Sequence, residues 1–128
     1  MFTYDCEVTY VVDGDTCDVT IDLGFKIFHK ARIRLYGINT PESRTRDKEE
    51  KYRGLQAKAR FKDLIKDRPT RLVSHGKGKY GRVLGEILIE SKKIKDNWIN
   101  VNKQLVKEGH TVEYYGGKRW IILCRHIS

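Results

Sequence analysis

Three short segments carry the residue types from which a reaction could be built. Val12-Asp13-Gly14-Asp15-Thr16 sets two carboxylates on either side of a glycine. That arrangement suits a hard, oxygen-seeking cation such as Ca²⁺ or Mg²⁺, and it is also the composition of a plain Asp-Gly turn. Arg34-Leu35-Tyr36-Gly37-Ile38-Asn39-Thr40-Pro41-Glu42 places an arginine on a strand and three potential oxygen ligands or bases just beyond its end. Pro41 fixes its own φ and holds Thr40 extended, which gives the Thr40 carbonyl and the Glu42 carboxylate set directions. A strand, a proline turn and a solvent-facing glutamate account for the same string. In Lys79-Tyr80-Gly81-Arg82 the lysine and tyrosine could hold a terminal phosphate while Arg82 grips a second phosphate in the bidentate geometry of a guanidinium. A solvated loop tip with a charged edge residue is the other reading.

The chemistry these groups have in common is phosphodiester hydrolysis. Water attack on phosphorus adds negative charge to an anionic group, so a cation and two fixed guanidinium groups supply most of the barrier reduction. A carboxylate can orient the attacking water or take its proton.

The elements that must position these groups follow from hydrophobic periodicity. Glu7 to Val12 is rich in β-branched and aromatic residues, and Cys17, Val19 and Ile21 alternate with polar neighbours, so two strands flank the Asp13-Gly14-Asp15 turn. Ala31, Ile33 and Leu35 alternate with Lys30, Arg32, Arg34 and Tyr36, a third strand with a basic outer face. The charge-dense stretch from Ser43 to Arg53 reads as a solvated loop. Ala57, Phe61, Leu64 and Ile65 then mark one face of a helix of roughly three turns, stopped by Pro69. Arg71 to His75 and Arg82 to Ile89 read as two further strands. A second helix runs near Val101 to Glu108, with Asn100 as its cap and Gly109 as its stop. Five strands and two or three helices without a βαβ repeat predict an α+β, mainly β chain. A small barrel is the economical arrangement because it hides the sheet edges.

The chain has 128 residues, one domain's worth. The reading is one domain over residues 1–120 and a C-terminal tail over 121–128. With 26 Lys and Arg against 17 Asp and Glu the net charge is +9, which favours a polyanionic partner, DNA or RNA. Surplus lysine also simply keeps small proteins in solution. Cys6, Cys17 and Cys124 are odd in number, and His29, His75, His110 and His126 are scattered, which argues against a disulfide framework or a zinc site. No secretory leader and no membrane-length apolar run is present in the sequence given. The expectation is a cytoplasmic or intracellular protein without membrane association, with a secreted form still compatible, and with no protein partner implied.

Taken together and in this order, the three motifs resemble those of the staphylococcal nuclease, or thermonuclease-like, family. Its members carry an Asp-Gly-Asp-Thr turn, an Arg strand leading into Asp-Thr-Pro-Glu, and a later Lys-Tyr-Gly-Arg. Glu50-Lys51-Tyr52-Arg53-Gly54 is similar to the family's stretch before its first helix, and the resemblance runs from about Val8 to Tyr115. It implies a five-stranded OB-fold barrel and a Ca²⁺-dependent nuclease, with Mg²⁺ as the other candidate ion. By position it implies Asp15 as the main carboxylate ligand, the Thr40 carbonyl beside it and Asp13 in support. It implies Arg34 and Arg82 as the pair stabilising the phosphorane, Glu42 as general base or positioner of water, Lys79 and Tyr80 on the terminal phosphate, and Tyr115 in the base pocket.

Two departures qualify this. Asn39 stands where the family has a metal-ligating aspartate, which keeps an oxygen donor and loses a charge. The family's third C-terminal helix is expected to be missing or replaced, so the expectation is a monomer or weak homo-oligomer that shields its core differently. The alternative function is a non-catalytic OB-fold nucleic-acid-binding module descended from a nuclease, using Tyr36, Tyr80 and Tyr115 as stacking platforms. Retention of Asp15, Arg34, Glu42 and Arg82 together favours the enzyme.

Overall fold

The computed structural model describes residues 2–40, 47–77 and 82–113. Strands β1 (Phe2–Asp13), β2 (Thr16–Asp22) and β3 (Phe28–Leu35) form an antiparallel meander, followed by the short β4 (Ile38–Asn39) and helix α1 (Lys48–Ile65). Strands β5 (Thr70–Lys77), β6 (Val83–Glu90) and β7 (Trp98–Asn100) come next, then helix α2 (Val101–Lys107) and β8 (Val112–Glu113). The sheet order is β3-β2-β1-β5-β6-β7, and a parallel pairing of β3 with β6 joins its ends. Five strands therefore close into a barrel with β7 as a flap on β6, the OB-fold arrangement. Closure removes the two edges an open sheet would expose.

The alternation legible in the sequence is what fills the barrel. Cys17, Val19 and Ile21 from β2, Ile33 and Leu35 from β3, Leu72 from β5, and Ile87 and Ile89 from β6 all point inward and are buried. Phe61 and Leu64 of α1 and Val101 and Leu105 of α2 join the same cluster. Phe61 is fully buried, so its truncation to alanine should cost about 3–5 kcal/mol.

Helix α1 corrects one expectation. The stretch from Ser43 to Arg53 reads as loop, but Lys48 to Arg53 are its first turns. Asp47 caps them by accepting hydrogen bonds from the Glu49 and Glu50 amides at 3.0 and 3.2 Å, and Glu49 and Glu50 favour the positive helix end. These turns project into solvent, so no apolar periodicity betrays them. Strand β1 likewise extends back to Phe2 instead of starting at Glu7, because its first half pairs with β5 from Phe2↔Ser74 to Cys6↔Thr70. Helix α2 has the expected cap, Asn100 accepting from the Lys103 amide at 3.1 Å. The tail 121–128 lies outside the described residues.

Candidate active site

The β1–β2 turn, the end of β3 and the start of β4 meet at one point. The Asp15 carbonyl accepts from the Leu35 amide at 2.8 Å, which ties the turn to the end of β3. Asp15 is only 9% exposed, and its carboxylate is held from two sides. Thr16 Oγ1 donates to Oδ1 at 3.0 Å and the Thr40 amide donates to Oδ2 at 3.1 Å. The two bonds fix the plane of the carboxylate.

Gly14 makes this convergence possible. A Cβ at that position would stand 2.7 Å from the Ala57 Cβ and 3.0 Å from Thr40 Cγ2. The missing side chain lets the turn sit directly on α1 and brings Thr40 within reach of Asp15.

Arg34 meets the carboxylate from β3. Its Nη2 lies 3.4 Å from Asp15 Oδ2 and donates to Asn39 Oδ1 at 3.3 Å. Its Nη1 donates to the Leu35 carbonyl at 2.9 Å. Because Ile33 and Leu35 are turned into the core, Arg34 must face outward, and these bonds hold its fork at the barrel surface. The β3–β6 closure then supplies the second guanidinium. Ile33 pairs with Val83 and Arg34 with Leu84, so Arg82, half-buried just before β6, approaches on the neighbouring strand. Two arginines 48 positions apart in sequence are thus brought to one seam of the barrel.

Asp15 offers carboxylate oxygens and Asn39 an amide oxygen, the ligand type that Ca²⁺ and Mg²⁺ take. Both Asp15 Oδ2 and Asn39 Oδ1 face Arg34 Nη2, at 3.4 and 3.3 Å, so a cation held by them would share them with the guanidinium. Among the described residues no three His, Cys, Asp or Glu side chains cluster, so the set combines one close carboxylate with neutral oxygens. Asp13 is half-buried at the end of β1. Glu42, Lys79, Tyr80 and Tyr115 lie outside the described residues.

Neither described thiol offers an alternative nucleophile. Burial, with a smaller push from Asp5, raises the Cys6 thiol to about 12, and burial drives Cys17 up as well. Both stay protonated, and the thiol form is unreactive.

With this geometry in place, the comparison with known proteins is direct. Residues 32–119 match the profile of the staphylococcal nuclease homologue family. The chain belongs to that family. It is also similar to Endonuclease YhcR of Bacillus subtilis (strain 168), at 31% identity over 120 residues. That match takes in 88% of this chain and 9% of the relative. The chain therefore spans about a tenth of the relative's length, the size of one domain within it.

Two further residues complete the neighbourhood and escape a reading by motif. Asn102 on α2, 2% exposed, donates to the carbonyls of Tyr36 at 2.9 Å and Gly85 at 3.2 Å and accepts from the Ile87 amide at 3.2 Å. It fastens the β3–β4 turn to β6 and gives a partner to three backbone groups there. The sequence signal is an asparagine between Val101 and Leu105 on a core-facing helix stripe. His75 is the other, stacked on Tyr36 with centroids 4.1 Å apart and planes 17° apart. No periodicity announces it.

Proposed function

We propose that this chain is a metal-dependent nuclease that hydrolyses phosphodiester bonds of DNA or RNA by water attack on phosphorus, with Ca²⁺ as the preferred ion and Mg²⁺ as the alternative. The observation that carries this reading is the partly buried Asp15–Arg34 pair at 3.4 Å, set at a strand end in a chain of the nuclease family. A carboxylate that can hold a cation and a guanidinium that can hold a phosphate are fixed side by side. The similarity to an endonuclease of Bacillus subtilis supports an endonucleolytic mode.

The roles follow from position. Asp15, the Asn39 side-chain oxygen and the Thr40 carbonyl would hold the ion, with Asp13 behind them. When bound, the ion polarises the phosphate and eases deprotonation of water. Arg34, with its fork immobilised on Leu35 and Asn39, donates to the phosphate oxygens as charge develops, and Arg82 supports it from the adjacent strand. Such preorganised donors cost no reorganisation during the reaction. Glu42 is assigned to the water, and Lys79, Tyr80 and Tyr115 to the nucleotide, from their places in the sequence.

The test is turnover of end-labelled single-stranded DNA and RNA by the purified protein in Ca²⁺, Mg²⁺ or chelator. Cutting that appears with Ca²⁺ and stops with chelator is the expected result. Binding without cutting under every ion would replace the enzyme by a nucleic-acid-binding module.

A further inference from the structure

A cleft of about 410 Å³ opens beside the β3–β4 turn, between Tyr36 and helix α2. Its volume falls in the range of small-molecule sites. Tyr36 forms its aromatic wall, Ile38 and Val106 its apolar lining, and Lys103 and Lys107 bring ammonium groups from α2, with Glu113 also on the lining. None of these residues belongs to the Asp15–Arg34 centre, and only Tyr36 among them has been named as a nucleic-acid contact, as a stacking platform of the binding-module alternative.

The aromatic wall is built with more support than a surface tyrosine receives. His75 is the extra residue where the β5–β6 register shifts between Ser74 and Gly76. Such a bulge re-aims a side chain, and here the imidazole lies against the Tyr36 ring. His75 Nε2 is 3.2 Å from Glu86 Oε2, and Glu86 Oε1 accepts from Asn100 Nδ2 at 3.2 Å. Asn102 holds the Tyr36 carbonyl. Gly37, at φ +79°, turns the chain immediately after it. The ring is thus fixed in backbone and plane while remaining 37% exposed.

From this we infer that the Tyr36–His75 stack is the platform of a nucleobase subsite, in which a base of the bound strand lies in the cleft and its flanking phosphates approach Lys103 and Lys107. The inference rests on the nuclease reading. Tyr36 follows Arg34 by two residues, a span of at most about 7 Å, so a strand gripped at Arg34 reaches the cleft with a neighbouring nucleotide. The chemistry matches: an immobilised ring offers its π-face to any base, lysines screen phosphate, and the Glu113 carboxylate accepts from an exocyclic amino group while repelling the backbone.

The test is fluorescence anisotropy of a labelled single-stranded oligonucleotide and an abasic strand of equal length, both in chelator so that neither is cut. The unaltered protein is compared with Tyr36→Leu, which keeps apolar bulk, and Tyr36→Phe, which keeps the ring. Tyr36→Leu should weaken binding of the base-bearing strand about tenfold and leave the abasic strand unchanged, with Tyr36→Phe close to the original protein. Equal effects of Tyr36→Leu on both strands, or none on either, would overturn the subsite and leave the nuclease reading intact. An unaltered protein that binds neither strand would remove both.

Discussion

Asn39 is the residue at which this site can be tuned. Its side-chain oxygen accepts from the same Arg34 nitrogen that faces Asp15, so Asn39→Asp places a second carboxylate where a neutral group now stands. Cation affinity rises with the number of charged ligands. Calorimetric titration of Ca²⁺ without substrate should therefore show the Asn39→Asp variant binding about tenfold or more tightly than the original chain, and unchanged affinity would remove Asn39 from the ligand set. At this scale the motifs of fixed spacing singled out Asp15, Arg34 and Arg82, and the structure brings Asp15 and Arg34 within 3.4 Å. It was silent on His75 and Asn102, whose roles depend on neighbours 39 and 66 positions away in Tyr36.

Helices α1 and α2 are tied together outside the core by a clamp that titrates. Arg60 of α1 donates to Glu108, which follows α2, through Nε at 2.6 Å and Nη2 at 3.0 Å, and Gln104 donates to the same carboxylate at 2.6 Å. The Arg60 hydrogen bonds chiefly, with Gln104 behind them, lower the Glu108 carboxyl from 4.5 to about 2. A depressed acid stabilises the fold above its unfolded pKa and loses that contribution as pH falls through the folded one. Thermal unfolding of the original protein and of Glu108→Gln should differ by a constant amount above about pH 5, and the gap should close between about pH 4.5 and 2. A gap independent of pH would show that the clamp acts through packing alone.

Element by element, what the sequence revealed depended on burial. The strands of the barrel were legible because their inward residues alternate. The first turns of α1 were not, since they bury little, although Asp47 followed three residues later by Glu50 is a capping signature. Among the described residues the two-residue strands β4 and β8 pair with each other, Ile38 with Glu113 and Asn39 with Val112, and no periodicity can be read in a strand of two.

For the whole molecule, the net charge of +9 and the site at a barrel seam make binding an electrostatic encounter followed by local recognition. Each neutralised phosphate releases counterions, so the affinity for single-stranded DNA should fall about tenfold or more between about 50 and about 200 mM salt. A salt-independent affinity would mean that apolar contacts alone hold the strand. No helix among the described residues is long and apolar enough to cross a membrane. Because the Bacillus relative is some ten times longer than this domain, the process it serves is a property of a larger context than the site.

Single-turnover cleavage of single-stranded DNA in saturating Ca²⁺ by the original protein and by Arg34→Ala decides whether the Asp15–Arg34 pair is a hydrolytic centre. Loss of a preorganised charge donor predicts a rate lower by about 10²-fold or more, with the strand still bound. Equal rates would place the chemistry elsewhere on the barrel.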